Sequence, residues 1–189
     1  RRRPCAGCFF LPFAAVVLSA CLLSCCQSKK VFSLSVVALN LNPSIVPALT
    51  ASGYTEPTPV QAKCIPEAVA GHDLMCSAPT GTGKTAAFVL PALQRLSLPA
   101  KPGRGARVLV LTPTRELALQ VTAAVEKYSK FMPRVRTGTV LGGMPYPKQR
   151  KLLESPLDIL VATPGRLIDF IDQGKVDFSR LELLVLDEA

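Results

Sequence analysis

The sequence predicts an α/β domain built on a parallel sheet with helices on both faces. From about residue 39 onward, short runs rich in β-branched residues alternate with segments of helical periodicity. Two of the short runs, 108–111 and 183–186, are continuously apolar, which indicates strands buried on both faces. The connection at 99–105 is rich in proline, glycine and basic residues, as surface loops are.

Five strands and five helices are predicted in alternating order. The strands are expected at 73–77, 107–112, 137–141, 158–162 and 183–187. The helices are expected at about 59–70, 84–96, 115–130, 146–154 and 166–173. Ligands of open parallel sheets bind outside the carboxyl ends of the strands, so the loops that follow the strands form the predicted functional region.

Length and charge set broad limits on the protein. A chain of 189 residues is long enough for one domain with a real core and short for a two-domain machine. The formal net charge is +9, and five basic residues before position 31 supply more than half of it. The remaining body is mildly basic, which suits a polyanionic partner without identifying one.

The first 38 residues differ from the rest in composition. They contain five of the seven cysteines and no acidic residue. Three arginines, an apolar stretch from Phe9 and the sequence Leu18-Ser19-Ala20-Cys21 follow the order of a secretory signal. A single membrane helix is an alternative, because the apolar run approaches the minimum spanning length. We favour a third interpretation, a non-native or disordered leader, and place the domain boundary between residues 38 and 39.

The two cysteines of the body, Cys64 and Cys76, match no common zinc spacing. We expect both to be reduced and to pack in the interior of a cytosolic domain.

The segment after the first predicted strand has the features of a phosphate-binding loop. Two glycines allow the backbone N–H groups to approach an anion, and a helix begins directly afterwards. Lys84 can place its ammonium against the β- and γ-phosphates of ATP, and the Thr85 hydroxyl can bind Mg²⁺. The residues of this predicted phosphate loop are Ala78, Pro79, Thr80, Gly81, Thr82, Gly83, Lys84 and Thr85.

An acidic pair follows the last predicted strand. Asp187 and Glu188 come directly after the apolar run 183–186. In enzymes with such a phosphate loop, an acid at this position holds Mg²⁺ through its hydration shell, and a following glutamate can orient the attacking water. We therefore predict Asp187 as a magnesium ligand and predict Lys84, Asp187 and Glu188 as the catalytic residues.

These residues together resemble the DEAD-box ATP-dependent RNA helicases. The resemblance runs from about Leu41 to Ala189, and residues 187–189 match three of the four letters of the family's name motif. Residues 53–61 are similar to its adenine-recognition motif, which implies that the Gln61 amide reads the adenine edge and that Tyr54 stacks on the base. The resemblance also implies a RecA-like P-loop domain as the fold.

Three further segments resemble the family's contacts with the RNA backbone. Each follows a predicted strand and offers backbone N–H groups, hydroxyls or a guanidinium to phosphates. Such contacts carry no base information, so the expected RNA binding is independent of sequence and weakens with salt. The predicted RNA-binding residues are Pro113, Thr114, Arg115, Gly142, Gly143, Thr163, Pro164, Gly165 and Arg166.

The resemblance covers only the first of two RecA-like domains that, in this family, close over ATP and RNA together. The second domain, expected in cis, supplies arginine fingers that are worth on the order of 10³–10⁵ in rate in related phosphoryl transfer. We therefore expect residues 39–189 to be a domain incomplete at its C-terminal end, which binds nucleotide weakly and hardly hydrolyses it. A cytoplasmic location without stable membrane association is also expected.

Three other functions stay open at this stage. An ATP-dependent RNA clamp would grip RNA without separating a duplex, and a duplex-release assay distinguishes it from a helicase. Another P-loop nucleic-acid-dependent ATPase is possible, although the segment around Gln61 argues against it. A lipid-anchored or membrane protein would use the leader, and cell fractionation tests that alternative.

Overall fold

The computed structural model describes residues 14–18, 39, 41–100, 102–103 and 105–188. These residues contain six strands and six helices. The strands are β1 (Ala14–Leu18), β2 (Leu74–Met75), β3 (Val108–Leu111), β4 (Thr137–Val140), β5 (Ile159–Ala162) and β6 (Leu183–Asp187). The helices are α1 (Val46–Ala51), α2 (Pro59–Ala70), α3 (Lys84–Leu96), α4 (Arg115–Tyr128), α5 (Tyr146–Glu154) and α6 (Pro164–Asp172).

The strands form one sheet in the order β2-β1-β6-β3-β5-β4, and every neighbouring pair is parallel. Val108 in β3 lies opposite both Ile159 in β5 and Leu183 in β6. Parallel neighbours need long crossover connections, and in this chain helices supply them. The strands therefore end at one edge of the sheet, the carboxyl edge, whose loops are residues 76–83, 112–114, 141–145, 163 and 188.

Apolar side chains cover the sheet on both faces, as the continuous apolar runs indicate. Within β3, Val108 and Val110 belong to a core cluster that includes Phe88 of α3. The intervening Leu109 belongs to a second cluster that includes Phe170 of α6. Successive side chains of a strand point to opposite faces, so both faces are buried and the predicted parallel α/β class is confirmed.

The predicted elements are present with small shifts at their ends. All five strands and five helices lie where the sequence indicates. Helix α4 ends at Tyr128, two residues before the predicted end, because Ser129 leaves helical geometry there. Helix α6 begins at Pro164 instead of Arg166, since proline is compatible with the first turn of a helix.

Two elements were not predicted. Helix α1 is a single short element whose Ala48 and Leu49 are buried. Strand β1 lies in the leader, where no strand is predicted, and its backbone pairs with β2 and β6. The other leader residues, including residues 19–21 of the signal-like sequence, lie outside the described part of the chain.

The expectation that Cys64 and Cys76 are reduced is wrong in this structure, because their sulfurs form a disulfide. The reason lies in the short connection between α2 and β2. Gly71 adopts a left-handed conformation with a φ of 92°, which ends α2 and turns the chain back along the helix. Residues twelve apart in the sequence thereby become neighbours.

Within the described residues, no helix has the length and apolar character needed to cross a membrane.

Candidate functional site

The 78–85 loop connects β2 to α3 at the carboxyl edge. The Thr82 hydroxyl donates to the Pro79 carbonyl at 2.7 Å and closes the loop on itself. Gly83 has a φ of 84° at the start of α3, a conformation that side chains with a Cβ rarely adopt. Lys84 is the first residue of α3 and is buried, so the helix N-terminus and the lysine are held together where an anion would bind.

Gln61 connects the predicted adenine motif to this loop. Its side-chain amide donates to the Gly83 carbonyl at 3.1 Å and lies 3.4 Å from the Tyr54 hydroxyl. Its side-chain oxygen accepts from the Thr58 N–H at 3.0 Å, which forms a capping box at the start of α2. Gln61 is 1% exposed, so the amide is engaged with the chain itself and not open to solvent.

The Tyr54 ring, predicted to stack on a base, is half-buried against the core. It meets the ring of Tyr128 edge-on with 5.9 Å between centroids. The Tyr128 hydroxyl donates to the Tyr54 hydroxyl at 3.2 Å. Burial raises the pKa of Tyr128, and the hydrogen bond with Tyr54 raises it further. In this conformation Tyr54 supports the position of Gln61.

A cavity of about 530 Å³ lies beside the 78–85 loop. Its lining includes Pro59 and Val60 at the start of α2 and Ala78, Pro79 and Thr82 of the loop. This volume falls within the range of small-molecule sites. A slightly larger cavity of about 590 Å³ lies near the start of β4 and is lined by none of the predicted site residues.

The acidic pair lies at the end of β6, on the same edge as the loop. Asp187 is buried, and Glu188 is half-buried with a φ of 56°. Burial raises the pKa of Asp187, Glu188 raises it further, and Lys84 lowers it. Lys84 and Asp187 therefore interact electrostatically although they come from different elements.

The residues available for magnesium fit a site completed by a nucleotide. Asp187 offers a buried carboxylate, and the half-buried Thr85 offers a hydroxyl, both of which are oxygen ligands that Mg²⁺ prefers. Among the described residues there is no cluster of three or more His, Cys, Asp or Glu side chains that could hold a metal ion. The remaining ligands would therefore come from water and phosphate oxygens.

The raised pKa of Asp187 predicts how this residue affects the free energy of unfolding at different pH values. Because the folded-state pKa exceeds that of the unfolded chain, the ionised carboxylate costs stability at neutral pH. Asp187→Asn, measured by urea unfolding without Mg²⁺ or nucleotide, is expected to raise the free energy of unfolding near pH 7. The gain should shrink as the pH falls through the folded-state pKa and vanish below the ordinary value of 3.8. A gain that is largest in acid would contradict this origin.

The three segments predicted to contact RNA lie side by side at the carboxyl edge. The Gly142 N–H donates to the Thr163 hydroxyl at 3.4 Å, which joins the loop after β4 to the start of α6. A Cβ on Gly143 would lie 2.8 Å from the Arg115 guanidinium, so the start of α4 reaches the same loop. Thr114 caps α4 by accepting from the Leu117 N–H. Pro113, Thr114, Arg115, Pro164 and Gly165 are exposed.

Arg166 is placed differently from its neighbours in this set. Its side chain is only 10% exposed, although it was expected to offer a guanidinium to phosphates. The Nη1 atom donates to the Met144 carbonyl at 2.9 Å, and the guanidinium lies 3.9 Å from the centre of the Tyr146 ring. Arg166 thus lies beside the other predicted RNA-binding residues and also holds the loop after β4.

One residue of the site was not anticipated. Gln149 in α5 is 3% exposed, and its side-chain amide pairs with the backbone of Leu141. The amide donates to the Leu141 carbonyl at 2.9 Å, and its oxygen accepts from the Leu141 N–H at 3.2 Å. Gln149 therefore fixes the residue that precedes Gly142. A glutamine in a helix rich in basic residues gave no sign of this role in the sequence.

A parallel sheet flanked by helices, with a glycine-rich loop after one strand and an acidic pair after another, defines a RecA-like α/β domain. The sequence profile of the DEAD/DEAH box helicases matches residues 58–189, and the chain belongs to this family.

Individual relatives agree with this assignment. The chain is 47% identical over 152 residues to DEAD-box ATP-dependent RNA helicase 28 of Arabidopsis thaliana, covering 80% of this chain and 19% of that protein. It is 45% identical over 158 residues to the ATP-dependent RNA helicase DeaD of Escherichia coli (strain K12), covering 84% and 25%. The chain therefore spans a quarter or less of the length of these two relatives.

A solved structure has the same fold. The crystal structure of a hypothetical ATP-dependent RNA helicase from Sulfolobus tokodaii superposes with a TM-score of 0.68 at 37% sequence identity. The similarity covers 77% of this chain and 41% of that one.

Proposed function

We propose that the chain is the ATP-binding domain of an ATP-dependent RNA helicase, which couples ATP binding and hydrolysis to the local unwinding of RNA duplexes. One observation carries this proposal. The 78–85 loop, the Asp187 carboxylate and the three segments that resemble RNA contacts all lie at the carboxyl edge of one sheet. Nucleotide and RNA can therefore be bound by adjacent loops of the same domain.

ATP binding is assigned to residues 78–85 together with the adenine motif. The backbone N–H groups at the start of α3 and the Lys84 ammonium would bind the phosphates. The partial positive charge of the helix N-terminus and the charge of the ammonium both favour an anion at this position. The cavity beside Pro59 and Val60 offers an apolar space for the base or ribose. Gln61 would read adenine after releasing the Gly83 carbonyl, so base recognition and loop position would be linked.

The chemistry of hydrolysis is assigned to the acidic pair. Mg²⁺, held by Thr85, Asp187 and phosphate oxygens, would neutralise charge that develops on the phosphates. Asp187 needs its ionised form for this role, and Lys84 favours that form. Glu188 would orient the attacking water.

RNA binding is assigned to contacts between these loops and the phosphate backbone of the RNA. Arg115, the exposed loop at Gly143 and the exposed start of α6 offer charge and N–H groups that suit phosphates and carry no base information. Binding should therefore tolerate any base sequence and weaken with salt.

Efficient turnover is proposed to require a second RecA-like domain in cis that adds arginine fingers. The chain by itself should bind nucleotide and hydrolyse it very slowly. Helicase-like ATP turnover by these 189 residues with RNA present would contradict this part of the proposal. The proposed domain boundary is residue 39, which leaves β1 outside it, so a chain that starts at residue 39 tests whether β1 is needed for nucleotide binding.

A cytoplasmic location is also part of the proposal. The use of ATP supports it, whereas the Cys64–Cys76 disulfide counts against it, because reducing compartments keep thiols unpaired. Fractionation of cells that express the tagged protein tests it.

Two adjacent glycines give a matched test of RNA binding. Gly143 has a φ of 75°, and a Cβ there would lie 2.8 Å from Arg115, so Gly143→Ala must displace the guanidinium. We expect this variant to bind a labelled single-stranded oligouridylate about fivefold more weakly, because the guanidinium is shifted and not removed, so only part of the roughly 1.5–3 kcal/mol of a charged hydrogen bond is lost. Fluorescence anisotropy with a non-hydrolysable ATP analogue measures the change.

Gly142→Ala is the control. Its φ lies outside the left-handed region, and a Cβ there has no neighbour within 4 Å. We expect its RNA affinity to stay within about twofold of the unsubstituted chain, because its N–H still reaches Thr163. Equal losses in the two variants would show that the arrangement of Arg115 beside Gly143 is not what RNA binding needs.

A further inference from the structure

The loop after β4 and the start of α6 are joined by a cluster of three side chains: Tyr146, Arg166 and Asp169. The Arg166 guanidinium stacks on the Tyr146 ring at 3.9 Å. The Tyr146 hydroxyl donates to the Asp169 carboxylate at 2.7 Å, and the same carboxylate oxygen lies 3.8 Å from the Arg166 Nε. The cluster links the first turn of α5 to the first two turns of α6.

We propose that Tyr146 is a positioning residue for RNA binding, which holds the Arg166 guanidinium so that its Nη2 atom can donate to a backbone phosphate. This inference rests on the proposed function. It gives a role to an exposed aromatic residue for which the sequence predicts only a position in a helix.

The contacts of Arg166 define which of its nitrogens can still bind a phosphate. Nη1 is used by the Met144 carbonyl, and Nε faces Asp169. Within the described residues, Nη2 has no hydrogen-bond partner, so this atom is free to donate to an incoming oxygen. A guanidinium held in a fixed plane, with one nitrogen left to donate, suits phosphate recognition better than a freely rotating side chain.

The Tyr146 ring fixes that plane. It covers one face of the guanidinium, and Phe170 supports it with 5.4 Å between ring centres. Without the ring, Arg166 would keep its hydrogen bond to Met144 but could rotate about it towards Asp169. The carboxylate would then compete with the phosphate for the same charge.

The hydroxyl of Tyr146 has a separate and smaller role in positioning Arg166. Its hydrogen bond to Asp169 occupies the carboxylate oxygen nearest to Arg166, and it raises the pKa of Tyr146. Tyr146→Phe keeps the ring and loses only this hydrogen bond. Tyr146→Leu removes the ring as well.

Affinity and its salt dependence for a single-stranded oligouridylate test the proposal on the chain as it stands. We expect Tyr146→Leu to weaken binding about fivefold, the scale of a partly buried cation–π contact. Tyr146→Phe should stay within about twofold. In Tyr146→Leu the slope of log affinity against log salt should fall by up to about 0.7, the value for one phosphate contact on a single strand. A purely structural defect would reduce the binding-competent fraction and leave the slope unchanged.

A double substitution and a control complete the experiment. In an Arg166→Ala background, Tyr146→Leu should have no further effect, because the ring acts only through the guanidinium. Phe131→Leu is the control. It removes another exposed ring near a cation, 5.7 Å from Lys130, beyond the end of α4 and away from the carboxyl edge. This variant should leave RNA affinity and its salt dependence unchanged.

Each other outcome overturns the proposal. Additive losses in the double variant, an unchanged salt slope, or equal losses in Tyr146→Phe and Tyr146→Leu would remove the role assigned to the ring. Failure of the unsubstituted chain to bind RNA would overturn the proposed function as well. Normal RNA binding by the unsubstituted chain and by Tyr146→Leu would overturn only the inference about Tyr146.

Discussion

Replacing Arg107 by alanine is expected to lower the free energy of unfolding by about 3 kcal/mol, the lower end of the range for breaking a buried pair, because the Glu182 carboxylate loses its shortest cationic contact and keeps a longer one, to Arg95 at 3.6 Å. Arg107 and Glu182 are 4% and 8% exposed, and two guanidinium nitrogens reach the carboxylate at 2.7 and 3.2 Å. The guanidinium also donates to the carbonyls of Arg95, Leu96 and Leu98 at the end of α3. One side chain thus joins β3, the approach to β6 and a helix terminus.

Urea unfolding followed by circular dichroism measures this loss. Arg150→Ala is the matched control, because Arg150 and Glu154 form an exposed pair one helical turn apart. Such pairs contribute about 0.3–0.5 kcal/mol. A loss in Arg107→Ala no larger than in Arg150→Ala would show that the buried pair is not a principal stabilising contact.

Replacing Lys84 by alanine is expected to weaken Mg·ATP binding by roughly ten- to a hundredfold, the scale of a lost hydrogen bond to a charged group. Lys84 is 9% exposed at the first position of α3, where the helix N-terminus also favours an anion. Loss of the ammonium should also raise the pKa of Asp187, since Lys84 now lowers it. Both changes act against nucleotide and metal binding.

Titration with a fluorescent ATP analogue in the presence of Mg²⁺ measures the effect of Lys84→Ala. Lys151→Ala serves as the control, because Lys151 is exposed in the last turn of α5, and α5 follows β4, which lies at the opposite edge of the sheet from β2. Circular dichroism should show both variants folded. Unchanged ATP affinity in folded Lys84→Ala would remove the basis of the proposed function.

The sequence was most informative where local pattern determines structure. Continuous apolar runs such as 108–111 could belong only to strands covered on both sides, and the structure buries them between two core clusters. The glycines and Lys84 of the 78–85 loop predict a turn followed by the start of a helix, and α3 begins at Lys84. These features depend on neighbours in sequence, so pattern alone suffices.

It was least informative where distant residues meet. Gln149 resembles any polar residue of an exposed helix, yet it pairs with the backbone of Leu141. Arg107 and Glu182 are 75 positions apart and would each be assigned to solvent, but the sheet brings them together. The resemblance suggested Gln61 as an adenine reader but not its hydrogen bond to Gly83, which depends on how α2 lies against α3.

Strand β1 has a consequence for the geometry of the whole site. It runs between β2 and β6, with Val17 opposite Met75 and Leu18 opposite Asp187. The strand that leads to Lys84 and the strand that ends in Asp187 therefore stand two strand spacings apart, about 10 Å. β1 acts as a spacer between these two strands. A peptide that contributes none of the predicted binding residues thus sets the separation between the strand before the 78–85 loop and the strand that carries Asp187.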